Sequence, residues 1–550
     1  GVATDKRYRD WAARFPKHVQ HIVSAPELVA DGNAFQRHLR IQAAMTAIDA
    51  QTYVLPQSSH VPDLSLGSFL EGANVVAAQS QLRYEVEPRP LLVTDDVPLL
   101  KTPEDMLASA KLGTLYTGES SASSAAAEDE PAVNQDIAES DMAEPLVVCP
   151  IGTGSSVPSI YRNVSANIVD IPSYGGMVLD CGESTVSQLK RFLGHPTRNE
   201  HNRRIPKTYT QFIQSLRLLY ISHMHADHHL GAIQLLHEWA RLAPSTNRLT
   251  VLAPARFLSW LRDFSGVQDV GLQRIDFINC HDLRLDASPA GHVRRRVDAA
   301  KRSLGLTDMV TCSVVHCPWA YGVSLTHASG WRVVYSGDTR PCTNLVALGR
   351  HGTCRPTVLL HEATHSDDLL EDAIAKRHTT VSEAVAMAVA MRAENLLLTH
   401  FSQRCLTLPK WDPKNVRAVS VPRFGALVPA ISAATANGSG DGSGDGEMVS
   451  EYEDMQQILG PLNIAAAFDL SAYSPADIAR YRRNSASLRQ VMRKEISALA
   501  AEEAESTANS DDEDDSHGGD APKKPNPNQK KQKQKRQKQP TKQTAKPNPK

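Results

Sequence analysis

The sequence predicts an α/β protein whose reactive groups gather at the carboxyl ends of its strands. Between Val147 and Thr399, short apolar runs alternate with helical patterns, which implies strands layered with helices. His223, His316, Asp338, His361 and His400 all stand at or just beyond the end of such a run, where α/β folds collect functional side chains. The stretch SHMHADHHLG (Ser222 to Gly231) then packs four histidines around Asp227. A solvated, inert His-rich turn is the plain alternative, and the other strand-end imidazoles and carboxylate argue against it.

Taken in chain order, SLRLLYIS (Ser215 to Ser222) reads as a strand running straight into the histidines. LGAIQLLHEWARLA after it carries apolar residues at helical spacing. RLTVLAP, MVTCSVVH, GVSLTH, GWRVVYSGD, TVLLHEAT and ENLLLTH are further strand candidates. Around this core the composition changes. Thr117 to Glu144 is Ser/Ala/acidic with almost no large apolar residue, and NGSGDGSGDG (Asn437 to Gly446) reads as a flexible insertion. A helical pattern starts at SPADIARYRR, and the acidic run Asp511 to Asp515 gives way to a basic, Gln/Pro-rich tail. That tail suits a nuclear signal, a loose RNA contact or simple solubilisation.

The expected domains are residues 1–60, an N-terminal piece, and 61–146, a partly disordered acidic linker. The catalytic domain follows at 147–435, then a flexible insertion at 436–450, a helical extension at 451–505 and a disordered tail at 506–550. The 550 residues carry a formal net charge of −2, so overall charge gives no sign of a nucleic-acid partner. Eight cysteines without a CxxC argue against a disulfide framework or a thiolate zinc site. No apolar run is long enough to span a bilayer, so no membrane partner is expected. The first residue is Gly1, and the chain is expected to begin inside a longer protein.

His223 and His225, two apart at the end of an extended segment, point to one side. Asp227 and His228 follow in the turn before a helix and can face a second point nearby. This geometry suits two metal ions sharing one loop, and the spacing excludes the helical HExxH arrangement. Zinc takes four or five nitrogen or oxygen ligands, so further donors must come from elsewhere, and His316, Asp338 and His400 supply them. An imidazole- and oxygen-rich set without cysteine favours zinc and leaves manganese and iron open. His229, His327, His351 and His361 are read as packing or surface histidines.

HMHADH followed by HCPWAYG, YSGDT and LTHFSQR resembles the metallo-β-lactamase superfamily, which implies a four-layer αββα sandwich. Within it, GTGSSVPSIYRN, DCGE, SHMHADHHLG, YSGDT, HEAT, HTT and HFSQR together resemble the tRNase Z family over Val147 to about Arg404. The flanks resemble that family's long, eukaryotic form. RFPKHVQHIVSAPE and FQRHLRIQAAMTAI are similar to the end of its degenerate N-terminal lactamase-like half, with Ser24 or Ala25 where a ligand would stand. Two positions depart from the family pattern: Ser184 stands where Gly is usual, and VPSIYRN lacks the family loop's lysine.

The resemblance implies a zinc-dependent endoribonuclease that removes the 3′ trailer of precursor tRNA. It leaves a 3′-hydroxyl on the tRNA and a 5′-phosphate on the trailer. His223, His225 and His316 would hold one of two Zn2+ ions, Asp227, His228 and His400 the other, and Asp338 would bridge them. Asp227 would also take the proton of the attacking water. His378 is implied as general acid, with Glu362 orienting it, and Arg162 and Asn163 as substrate-binding residues. The expected partners are precursor tRNA and the missing N-terminal half, and the expected location is nucleus and/or mitochondrion. Two alternatives are another hydrolase of this fold (a β-CASP nuclease or a thioesterase) and a non-catalytic RNA-binding scaffold.

Overall fold

The structure is a computed structural model. It describes residues 6–16, 18–24, 35–57, 74–78, 82–85, 91–93, 102–116, 145–194, 204–411, 415–416, 419–421, 425–426 and 461–513. Among them, two six-stranded sheets form the centre of the unit spanning Gly1–Ile496. The first contains β1 (Val148–Gly152), β2 (Ala166–Ile171), β3 (Gly175–Cys181), β4 (Leu216–Tyr220), β5 (Leu249–Ala253) and β6 (Ile275–Asn279), side by side in that order. The second contains β7 (Leu306–Ser313), β8 (Tyr321–His327), β9 (Arg332–Tyr335), β10 (Val358–Glu362), β11 (Asn395–Thr399) and β12 (Asn463–Ala466), again in order. In each sheet the first two pairings are antiparallel and the last three parallel.

The central strands are apolar on both faces because both faces are covered. On one face of the first sheet, Val169, Met177, Leu179, Leu218 and Tyr220 pack in one core with Leu325, Val333, Tyr335 and Leu397 of the second. On its other face, Ile168, Val178, Leu219 and Val251 pack with Phe192, Trp239 and Phe257. Those three come from helices α2 (Thr185–Leu193), α3 (Ala232–Leu242) and α4 (Ala255–Ser265). The second sheet is covered in turn by helix α5 (Val381–Met391), whose Val385 and Met387 are fully buried. Helix, sheet, sheet and helix give the expected four layers. The strand candidates read in the sequence from SLRLLYIS to ENLLLTH all form strands here.

The flanks differ from the expected domain limits. Helix α1 (Gln36–Ile48), expected in a separate N-terminal piece, is built into the core through Ile41 and Met45. Its buried Gln42 amide donates to the carbonyls of Val54 (2.8 Å) and Leu470 (3.0 Å). Part of the expected linker is the helix Pro103–Tyr116, whose Met106 packs on Leu39 and Ala43. QHIV forms the strand Gln20–Val23, parallel to Asn74–Ala77, while Ala25 lies outside the described residues. Residues 117–144, the insertion at 436–450 and the basic tail also lie outside them. The C-terminal helix runs from Pro475 to Glu513, past the expected limit at residue 505.

Candidate metal centre

Strand ends bring the site together. His223 and His225 leave β4, Asp338 leaves β9, His400 follows β11, and His316 lies in the loop after β7. Asp227 and His228 sit on the single turn Ala226–His229. That turn rests against the loop after β3 so closely that only glycines fit. A Cβ on Gly231 would lie 2.0 Å from the Gly182 carbonyl oxygen, and one on Gly182 would lie 2.3 Å from that of Asp227. His400 itself has φ +58°, a left-handed conformation uncommon outside glycine and found where surrounding structure holds a functional side chain in place.

All seven side chains predicted as ligands converge. His225 Nδ1 lies 3.0 Å from His316 Nε2. On the other side, His228 Nε2 lies 3.2 Å from His400 Nε2, and Asp227 Oδ2 lies 3.4 Å from His400 Nε2. Asp338 stands between the two groups. Its Oδ2 is 3.2 Å from His228, 3.6 Å from His223 and 3.7 Å from His316, and its Oδ1 is 3.4 Å from His400. Two imidazole nitrogens on one tetrahedral zinc stand about 3.3 Å apart, given bonds of about 2.0–2.1 Å. The separations within the cluster match that figure.

The hydrogen bonds behind the cluster fix the imidazole tautomers. Asp180, fully buried, accepts from His228 Nδ1 at 2.7 Å. It also accepts from the Ser222 hydroxyl at 2.7 Å, so that hydroxyl can only accept from His223 Nδ1, 3.0 Å away. The Arg377 carbonyl accepts from His316 Nδ1 at 2.9 Å. Thr364 donates its hydroxyl proton to Glu362 at 2.5 Å and therefore accepts from His400 Nδ1 at 2.8 Å. Four imidazoles thus carry their proton on Nδ1 and turn an Nε2 lone pair inward, the arrangement metal-binding histidines need. Lone pairs facing each other at 3.2 Å repel unless a cation lies between them. His223 Nε2 and Asp338 Oδ1 are buried with no hydrogen-bond partner, which is the other mark of a cation site.

Electrostatics agree. Burial opposes charge on His228, yet Asp338, Asp227 and Asp180 outweigh it and raise its proton affinity well above that of an ordinary imidazole. Burial also opposes charge on Asp338, and His228 and His400 hold its carboxyl well below the usual range. The cluster calls for positive charge, which a bound metal cation would supply. His225 is exposed and His378 partly so, which places the open mouth on their side.

At that mouth, His378 Nδ1 lies 3.1 and 3.2 Å from the two oxygens of Glu362. Glu362 is buried and also accepts from the backbone N–H groups of Thr339 and Thr379. Burial alone would lower the pKa of His378, but Glu362 and then Asp338 raise it to about 9. A dication in the cluster acts in the opposite direction.

Arg162 and Asn163 are placed differently from the substrate-binding expectation. Both are buried. The Arg162 guanidinium lies between the rings of Phe401 and Phe468, 4.8 and 4.6 Å from their centroids, and donates to Thr153 Oγ1 at 2.7 Å. The Asn163 amide donates to the Glu183 carbonyl at 2.9 Å. They brace the Gly-rich loop, whose Ser156 backbone N–H donates to Asp227 at 2.6 Å. The loop therefore serves the Asp227 carboxylate. The sequence also suggested a cluster without cysteine, but Cys317 joins the His223, His225 and His316 group within 4.8 Å. Burial and then Asp338 push its thiol pKa up. His229, His327, His351 and His361 belong to no such group among the described residues.

Residues 177–401 match a family model described as a β-lactamase superfamily domain. With this fold and this cluster, the chain belongs to the metallo-β-lactamase superfamily. It is 31% identical over 431 residues to ribonuclease Z 1 of Schizosaccharomyces pombe, covering 75% of this chain and 49% of that protein. It is 32% identical over 431 residues to the human zinc phosphodiesterase ELAC protein 2, covering 76% and 48%. Its fold is similar to the crystal structure of a long-form RNase Z from yeast, with a TM-score of 0.60 at 20% identity, covering 86% of this chain and 64% of that one. Within the superfamily, the chain belongs to the ribonuclease Z family. It spans about half the length of the curated relatives it matches.

Proposed function

We propose that this chain carries the catalytic half of a zinc-dependent endoribonuclease that removes the 3′ trailer from precursor tRNA. The observation that carries the reading is the convergence of seven His and Asp side chains beside the His378–Glu362 pair. His223, His225 and His316 would hold one zinc ion and Asp227, His228 and His400 a second, with Asp338 shared. Zinc bound there supplies Lewis acidity, making water acidic enough to attack near neutral pH and offsetting charge on the phosphate.

The chain's own groups do the rest. Asp227, fixed by the Ser156 N–H, aligns the attacking water and takes its proton. His378 directs Nδ1 at Glu362, which leaves Nε2 to protonate the leaving 3′ oxygen of the tRNA body. Glu362 keeps that proton in place until the bond breaks. Protonation at the leaving oxygen yields a 3′-hydroxyl on the tRNA and a 5′-phosphate on the trailer. The proposed partners are precursor tRNA and the remaining half of a longer protein. The proposed location is nucleus and/or mitochondrion. Metal-stripped protein given back two equivalents of zinc should recover trailer release from precursor tRNA. Zinc-loaded protein that releases no trailer refutes the proposal.

A further inference from the structure

One aromatic residue close in sequence to His316 is half exposed. Trp319 lies three residues after His316 in the loop joining β7 to β8, and it is 51% exposed. Its φ of +62° is a left-handed conformation that costs energy for a bulky side chain. The loop holds it there. Val314 N–H donates to the Ala320 carbonyl at 3.1 Å, and Arg340 N–H donates to the Val315 carbonyl at 2.8 Å. The second bond fastens the loop to the segment just after Asp338.

The ring has one face covered. The Arg256 guanidinium, at the exposed start of α4, lies 4.4 Å from the Trp319 ring centroid. Among the described residues no carboxylate pairs with Arg256. Helix α4 is itself set against the ligand turn, since its Trp260 ring meets the His229 ring at 4.8 Å. Contacts therefore run from the turn that carries Asp227 and His228, through α4, to Arg256 and Trp319. An exposed indole with one open face and an unpaired guanidinium beneath it matches what single-stranded nucleic acid offers, a flat base and a phosphate in alternation.

We propose that Trp319 is a base-stacking platform on which one unpaired nucleobase of the RNA strand running through the site settles, with Arg256 bracing the indole and facing the adjoining phosphate. This inference rests on the ribonuclease reading and names one determinant of how that site aligns its strand. It adds no bond-making step. Its contribution is positional, since a base stacked beside the ligands fixes which phosphate lies over them.

The test is a binding cycle on the zinc-loaded full chain. The probe is a labelled RNA hairpin with an unpaired 3′ extension and a methylphosphonate at the expected scissile linkage. A parallel set replaces each base near that linkage, one at a time, with an abasic ribose. Trp319→Ala should weaken binding of the intact probe on the order of 10-fold, the usual scale for losing one base stack. Trp319→Phe should retain most of the affinity. At one position the abasic probe should lose about as much with the wild-type chain and nothing more with Trp319→Ala. Equal losses from Trp319→Ala on every probe, or no loss at all, would overturn the platform. Hydrolysis of bis(p-nitrophenyl) phosphate by the wild-type chain separates the two readings. If that activity is missing while the binding coupling is present, the catalytic reading fails and the platform stands.

Discussion

Asp180 touches no proposed metal position, yet it should decide whether the second site forms. Its carboxylate accepts four hydrogen bonds, each 2.7 Å long, from Ser222 N–H, Ser222 Oγ, His228 Nδ1 and Tyr335 Oη. Three of the four converge on Oδ2. Asp180→Asn keeps the shape and tolerates the backbone, whose φ is +59°. In either amide orientation, however, an NH2 group faces donors instead of accepting from them. Each lost charge-assisted bond is worth about 1.5–3 kcal/mol and each stranded buried donor costs about 1–3 kcal/mol. A net stability loss of about 3–5 kcal/mol follows. His228 would keep at best a neutral amide oxygen in place of the carboxylate that holds its proton on Nδ1. Losing such an outer-shell partner typically costs about 10–100-fold in metal affinity. Zinc competition against a chelator of known affinity, with urea unfolding of the stripped protein alongside, measures both effects. Tyr335→Phe is the comparison, since it removes one of the four donors without touching a histidine. It should cost about 1 kcal/mol of stability and leave zinc affinity near wild type. If folded Asp180→Asn protein binds zinc as tightly as wild type, the tautomer argument for the whole cluster is wrong.

Other substitutions separate the roles. His378→Ala should retain the metal content of wild type and lose about 10²–10⁴ in rate on RNA, with a smaller loss on nitrophenyl phosphodiesters, whose leaving group needs no proton. Loss of zinc in that variant would make His378 a ligand. His400→Ala should retain about one zinc equivalent and almost no turnover, because it strips a ligand from one site only; elemental analysis showing two equivalents contradicts the assignment. Arg162→Ala should lower stability by about 2–4 kcal/mol by removing a buried, stacked and hydrogen-bonded cation. Unfolding measured on metal-stripped protein checks this, and a loss confined to RNA affinity would restore a substrate-binding role.

The fold and the side chains that converge at the candidate site could be read from the chain because their signals are local. Six residues of one motif hold His223, His225, Asp227 and His228, and strand ends mark His316, Asp338 and His400 by position alone. The residues that aim them are harder to read. The Asp180 carboxylate, the Thr364 hydroxyl and the Arg377 carbonyl reach their histidines across 48, 36 and 61 positions. The substrate-binding expectation for Arg162 and Asn163 parts from their packing for a related reason. A basic residue after a Gly-rich loop looks available for phosphate, and only packing shows that Phe401 and Phe468 enclose it. The packing of the helix Gln36–Ile48 was not legible, because an apolar pattern says that a face is buried without saying against what.

The measurement that tests the central claim most directly is mapping both new ends after the zinc-loaded protein acts on precursor tRNA with a 3′ trailer. The proposed roles of Asp227 and His378 require a single cut that leaves a 3′-hydroxyl on the tRNA and a 5′-phosphate on the trailer. A 2′,3′-cyclic phosphate on the tRNA, or cuts scattered through the trailer, would contradict the account.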